Sequence, residues 1–477
     1  MPSDIKPFRL AGNIYFVGTY KASSHLIDTG NGLILIDTGY EETAPIIAES
    51  VASLGFDIRD VKLILHSHGH YDHTDGTPEM IRLTGAKTFL AKQDVKYLKG
   101  WIPDEFYYDG QVISLGNTSI LCLATPGHTE GTYSFFFDTQ VDGKTLRAGM
   151  FGGAGVNQLK KSWLDKYGCS WLNRGLYFES VERLKREHVD IFLGNHAWNN
   201  GTKENSEIME KTGVNLFIDD TKWPAFLKKC ENDAWAMMEK ERSEVFVNYA
   251  HRGASEYCPE NTFISFYTGL FMGADGIETD VQMTKDGHLV LFHDDTLTRM
   301  MGVEGRLSDR TLEELQQFTL EKNGLTDKIV LFEDFLRQFS FRDVTFAIEI
   351  KQKGIEAQVV DLIFEHGMEK KAIVTSFMLD SIRAVRAYAP QLRTGLLCSN
   401  VTDETTRTLR ELGIEQLCPR ANEITAEKVA KWHRAGFDVR AWGVTDEDLM
   451  KNAFDAGVDG MTVNFPDKLA NYIKEKA

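Results

Sequence analysis

His68-Gly69-His70-Tyr71-Asp72-His73 decides how the N-terminal half of this chain reads. The apolar run Lys62-Leu63-Ile64-Leu65 before it has strand character, so His68 and His70 stand at a strand end, spaced to aim both imidazoles at one ion. Asp72 and His73 add a second pair. Neutral imidazole suits zinc, and four ligand-type side chains in six residues is far denser than chance placement of the chain's 13 histidines. Around this stretch, from Phe8 to about Asn200, short apolar strands alternate with glycine turns: Asn13–Val17, Gly32–Ile36 before Asp37-Thr38-Gly39, Thr118–Leu123 and Tyr133–Phe137. Helical spacing at Thr43–Leu54 and Phe178–Glu187 predicts a sheet sandwich covered by helices.

These residues resemble the metallo-β-lactamase superfamily, whose signature is His-x-His-x-Asp-His. The resemblance extends to Ala124-Thr125-Pro126-Gly127-His128, to Gly194-Asn195-His196 and to Asp37-Thr38-Gly39. It implies an αββα sandwich with two zinc ions, the first on His68, His70 and His128, the second on Asp72, His73 and His196. Many members bridge the metals with the aspartate of an Ala-Gly-Asp sequence. Here Ala148-Gly149-Met150 stands in that place, which is similar to the branch with three protein ligands per zinc. Zinc lowers the pKa of its water to about 7 and polarises the bond under attack, so hydrolysis of an ester, lactone or amide is implied. Trp101, Phe106, Tyr107, Tyr108, Trp163, Tyr167 and Trp171 are candidates for a pocket wall or for packing, and His25 and His66 for supporting positions.

From about Lys203 to Glu244 charge density rises and apolar residues recur at helical spacing, among them Trp223, Phe226, Leu227, Trp235 and Met238. The expected division is therefore a first domain over residues 1–215, a helical connector over 216–242 and a second domain over 243–477. In the second, strands and helices alternate: Val245–Ala250, Gly276–Gln282, Leu289–Phe292, Val344–Ile350, Ala372–Thr375, Arg393–Cys398, Gln416–Pro419, Asp438–Val444 and Asp459–Val463. That is one strand more than a (β/α)8 TIM barrel holds. Thr284-Lys285-Asp286-Gly287 is a tight-turn signal, so one of its flanking strands reads as an addition to the barrel.

Glu278 and Asp280 lie two apart on a strand and so face one side, where they can share a hard cation. His251-Arg252-Gly253, His293-Asp294 and Glu349-Ile350-Lys351 also fall at strand ends, which converge at the mouth of a barrel. With Pro259-Glu260-Asn261-Thr262 and Ala441-Trp442-Gly443-Val444, this order of motifs resembles the glycerophosphodiester phosphodiesterase family. The resemblance implies one Mg2+ or Ca2+ on Glu278, Asp280 and Glu349, phosphate binding by Arg252 and Lys351, and acid/base roles for His251 and His293. Trp442 is a candidate for the alcohol side of the pocket. Asn464 replaces a frequent aspartate after the last strand and is expected to tune the site from outside the acid/base set.

Length and composition agree with two globular halves, and no run approaches the roughly 18 apolar residues a membrane span needs. Met1–Pro7 lacks a basic stretch followed by an apolar one, so no signal peptide is expected, and six scattered cysteines suit a reducing compartment, the cytoplasm by default. A net charge of −17 disfavours nucleic acid as partner, whereas a small anionic substrate needs only local cations. A homo-oligomer is compatible with the sequence. The expected protein is an α/β, two-domain, bifunctional metal-dependent hydrolase whose C-terminal half cleaves a small phosphodiester. The alternative is a single phosphodiesterase whose N-terminal half binds, regulates or oligomerises.

Overall fold

The computed structural model describes residues 5–476 and divides into two compact units, Met1–Cys169 with Asn173–Met238, and Ser170–Leu172 with Glu239–Ala477. In the first unit a seven-stranded and a five-stranded sheet face each other. The run Leu33-Ile34-Leu35-Ile36 shows why the stack has four layers. Ile34 and Ile36 enter the core between the sheets, while Leu33 and Leu35 pack outward against Ile47 and Val51 of helix Thr43–Ser53. A strand apolar at every position must be covered on both faces. The second sheet repeats the device: Phe135 and Phe137 face inward, and Phe136 faces Phe178 of helix Asn173–Leu184 and Trp223 of helix Lys222–Val245. The result is the αββα sandwich. Helix Lys222–Val245, expected as a connector, lays Trp223, Leu227, Cys230, Ala234 and Met238 into this unit's core.

The second unit is a closed barrel of eight parallel strands. Val247–His251, Gly460–Val463, Asp438–Val444, Gln416–Pro419, Arg393–Cys398, Ala372–Ser376, Thr345–Ile350 and Gly276–Met283 follow one another, and the last pairs back onto the first. Leu289–Leu291 is the ninth strand, antiparallel to Gly276–Met283 and outside the barrel. The turn joining them is closed by Gly287 N–H donating to Thr284 O, with Gly287 at φ 87°. Val245, expected to open the first barrel strand, instead ends the preceding helix. All six cysteines are free, and among the described residues no helix is long and apolar enough to cross a membrane.

Candidate metal centres and active sites

In the sandwich, His68 and His70 follow strand Val61–Leu65, and Asp72 and His73 sit in the short helix Tyr71–Thr74. His128 lies beyond strand Thr118–Ala124, and His196 just before helix Ala197–Asn200. Folding brings all six together. Ligand atoms of His68, His70 and His128 lie within 4.8 Å of one another, as do those of His68, Asp72 and His73. His196 stands beside the second group, its Nε2 3.9 Å from Asp72 Oδ2.

Three of the rings are fixed by their outer nitrogen. Nδ1–H of His128 donates to Gly155 O at 2.8 Å, that of His196 to Lys21 O at 2.6 Å, and that of His73 to Asp37 Oδ2 at 2.9 Å. Each Nε2 is thereby left with its lone pair, and that of His73 is buried without a hydrogen-bond partner. Burial holds His70 down to about 3 and both His128 and His196 to about 4. His73 is raised instead: burial opposes its charge, but Asp72 and Asp37 outweigh it. Buried imidazole nitrogens beside a carboxylate are a donor set suited to zinc.

Two buried carboxylates hold the ligand loops. Asp37 accepts from Ser67 N–H and Ser67 Oγ–H, both at 2.7 Å, besides orienting His73. Asp94 accepts from Gly69 N–H at 2.7 Å, Gly131 N–H at 2.9 Å and Thr129 Oγ–H at 2.7 Å, tying the His68–His73 loop to the His128 loop. A Cβ at Gly69 would come within 2.7 Å of Asp94 O, so this approach requires glycine. The sequence reading missed Asp94, because no motif sets it apart from the other acidic residues. Met150 points into the apolar core between the sheets. His25 and His66 are buried, His25 bonded to Gly194 O and His66 to Phe89 O and Thr77 Oγ1.

A cavity of about 460 Å³ opens over His70, Asp72, His128 and His196. Of the aromatics considered for its wall, Trp163 and Tyr167 line it, joined by Tyr97, Trp198 and Phe226. Tyr107 is core, packed on Tyr133, Trp101 packs on His66, and Phe106 and Tyr108 are exposed. Trp171 is buried and counts with the second unit.

In the barrel, strand register builds the site. His251 pairs with Glu278, and Asp280 pairs with Glu349, so the groups sit side by side at one end of adjacent strands. Glu278, Asp280 and Glu349 are all buried with oxygens within 4.8 Å of one another. Two cations meet these three carboxylates. Arg252 Nε lies 3.1 Å from Asp280 Oδ2, out of line for a hydrogen bond, and Lys351 Nζ is 2.8 Å from Glu349 Oε1 and 3.7 Å from Asp280 Oδ1. Asp280 Oδ1 has no hydrogen-bond partner. Burial and the neighbouring negative charges push Glu278 well above the usual carboxylate range and Glu349 to about 7, whereas Arg252 and Lys351 overcome burial and hold Asp280 at about 2. Three crowded, buried carboxylates and the orphaned oxygen fit a hard divalent cation.

The other motifs acquire roles here. Arg252 and Asn261 adopt positive φ of 54° and 58°, and Asn261 Nδ2–H donates to Asp280 Oδ2 at 3.0 Å. Glu260 accepts from Arg252 Nη1 at 2.9 Å, and Thr262 caps helix Phe263–Phe271. Gln282 donates to the carbonyls of Phe292, His293 and Asp294, fastening the His293 segment to the strand that carries Glu278 and Asp280. His293 Nδ1–H donates to Asp294 Oδ1 at 2.6 Å. Trp442 is half-buried, donates Nε1–H to Cys398 O at 3.1 Å and meets Phe377 edge-on at 4.8 Å. Asn464 corrects an expectation. Its Oδ1 accepts from His251 Nδ1–H at 2.5 Å and from Ser255 Oγ–H at 3.0 Å, so it directly touches His251, a residue expected in the acid/base set.

The profile of the glycerophosphoryl diester phosphodiesterase family matches residues 251–468, and that of the metallo-beta-lactamase superfamily matches 17–149. Glycerophosphodiester phosphodiesterases of Caldanaerobacter subterraneus subsp. tengcongensis and Bacillus altitudinis are 34% and 33% identical to this chain. The matches cover 47% and 48% of the chain, and 97% and 98% of those proteins. Among solved structures, the FEZ-1 metallo-beta-lactamase of Legionella gormanii matches with 31% identity and a TM-score of 0.47, over 50% of this chain and 98% of that one. The chain thus belongs to the glycerophosphodiester phosphodiesterase family through its C-terminal barrel and carries, fused to it, a metallo-β-lactamase superfamily domain.

Proposed function

We propose that the barrel hydrolyses glycerophosphodiesters to an alcohol and a phosphomonoester. The observation that carries this reading is the trio of buried carboxylates in register with His251 and flanked by Arg252 and Lys351. Glu278, Asp280 and Glu349 would hold Mg2+ or Ca2+, which when bound supplies Lewis acidity at the phosphoryl group. Arg252 and Lys351 bind phosphate oxygens, the guanidinium offering a planar fork. With Nδ1–H committed to Asn464, His251 keeps a lone pair on Nε2 and takes the proton of a substrate hydroxyl as it attacks phosphorus. His293, its Nδ1–H held by the Asp294 carboxylate, serves as the general acid and gives Nε2–H to the departing alcohol as the ester bond breaks. Water then opens the cyclic phosphate with the two roles exchanged. Trp442 borders the alcohol side. The test is alcohol release from a panel of glycerophosphodiesters with Mg2+ or Ca2+: wild type turns over, His251→Ala loses at least about 10²-fold, and silence of the wild type across the panel refutes the reading.

For the sandwich we propose a two-zinc hydrolase of an ester, lactone or amide, with His68, His70 and His128 on one ion and Asp72, His73 and His196 on the other. Zinc, when bound, supplies Lewis acidity at the bond cut. Asp37 and Asp94 keep the ligand loops in place, and Trp163, Tyr167 and Trp198 line the cavity. Met150 favours a second reading, a metal-loaded binding module, because no carboxylate stands where many members bridge the metals. Near two zinc ions per chain, with esterase or lactonase turnover lost in His68→Ala, decides for the hydrolase; zinc without turnover decides for the module.

A further inference from the structure

One guanidinium outside the motifs used so far joins the two halves of the barrel site. Arg299 lies at helix Thr298–Met301 and makes two-pronged contacts with two carboxylates at once. Toward Glu260 it donates from Nη1 to Oε2 at 2.9 Å and from Nη2 to Oε1 at 2.7 Å. Toward Asp294 it donates from Nε to Oδ2 at 2.6 Å and from Nη2 to Oδ1 at 3.0 Å. The same Glu260 Oε1 accepts from Arg252 Nη1 at 2.9 Å, and the same Asp294 Oδ1 accepts from His293 Nδ1 at 2.6 Å. A continuous path therefore runs from Arg252 through Glu260, Arg299 and Asp294 to His293.

We propose that Arg299 is the positioning residue of the phosphodiester site, locking the planes of two carboxylates so that Arg252 and His293 are held in register around one substrate. This rests on the phosphodiesterase reading above. The geometric demand is specific to arginine. Two bidentate pairs on one planar group fix the rotation of both carboxylates, whereas a lysine ammonium is a point charge that can meet two carboxylates but fixes the plane of neither. With it removed, Glu260 and Asp294 repel each other and turn, taking Arg252 and His293 out of alignment. Both substrate binding and turnover then suffer, because one end of the path belongs to a phosphate-binding group and the other to an acid/base group.

The experiment is steady-state kinetics of the full chain at saturating Mg2+ or Ca2+ on the glycerophosphodiester that wild type turns over best, with thermal unfolding measured in parallel. Arg299→Gln is expected to lower kcat by about tenfold or more and to raise KM. Arg299→Lys is expected to stay close to Arg299→Gln although it keeps the charge. Methylguanidinium, added to Arg299→Gln, is expected to restore part of kcat, since the Arg299 side chain is nearly half exposed and its place is open to solute. A purely structural role would show lowered thermal stability with kcat and KM of the folded enzyme unchanged, and that result overturns the proposal. So does Arg299→Lys with wild-type kinetics, which would mean that charge alone suffices. Should Arg299→Gln fail to fold, the lysine variant carries the test. If the wild type itself is silent on the panel, the phosphodiesterase reading falls and this one with it. Normal wild-type turnover with an unperturbed Arg299→Lys refutes the positioning role alone.

Discussion

Asn464 accepts the Nδ1 proton of His251 and with it fixes which nitrogen of that ring faces the carboxylates. Asn464→Ala takes the partner from a part-buried N–H, a loss of about 1–3 kcal/mol, so kcat/KM is expected to fall between about fivefold and 150-fold in steady-state assays. Glu349 makes a second prediction at this scale. In the metal-free protein its pKa stands near 7, above the roughly 4.3 of an unfolded glutamate, and Glu278 is raised further. A raised folded pKa favours the native state below the unfolded value, and that contribution is lost as pH rises from about 4 through about 7. A divalent cation binds the ionised form. The gain in Tm on adding Mg2+ or Ca2+ should therefore be larger at pH 8 than at pH 6, and Glu349→Gln should lose most of it. A gain independent of pH would count against the carboxylates as ligands.

At the scale of elements, the turn His251-Arg252-Gly253 packs against helix Phe263–Phe271. Gly253 has φ 82°, and a Cβ there would lie 2.3 Å from Ser265 Oγ and 2.4 Å from its carbonyl carbon. Gly253→Ala is expected to destabilise the barrel by about 1–3 kcal/mol, read as a lower denaturant midpoint. In the sandwich, Asp94→Ala unties Gly69 from Gly131 and Thr129, and zinc affinity measured by chelator competition should drop about 10–100-fold. These elements also mark where the sequence was legible. Strands Arg393–Cys398, Gln416–Pro419 and Asp438–Val444 keep the bounds read from the sequence, although Arg393, Gln416, Asp438 and Arg440 interrupt their apolar pattern. The start at Val245 was misplaced because a helix C-terminus and a buried strand look alike over a few apolar residues. Asp94 and Arg299 stayed hidden for another reason. Their partners are far away in sequence, Asp94 reaching Gly131 and Arg299 reaching Glu260, so only the fold reveals what they hold.

Each of the two units is filled by several buried apolar clusters drawn from alternating faces of its own strands. Phe136, fully buried with Val189, Phe192 and Trp223, belongs to the layer between the second sheet and its helices, and Phe136→Ala should cost about 3–5 kcal/mol by calorimetry or denaturant titration. The residues proposed as metal ligands in the two units stood out as motifs because they cluster at strand ends. The cavity wall was not, since an aromatic residue serves a pocket or a core equally well until the fold places it, as Trp163 and Tyr107 show. The central claim is that the barrel's three carboxylates hold a cation that phosphodiester cleavage requires. It is tested most directly by stripping the full-length protein of metal and measuring alcohol release from a glycerophosphodiester panel on reloading with Mg2+ or Ca2+, for wild type beside Glu349→Gln. Release by the wild type that depends on the cation and falls at least about 10²-fold in Glu349→Gln is the predicted result; release that survives either metal removal or Glu349→Gln would contradict it.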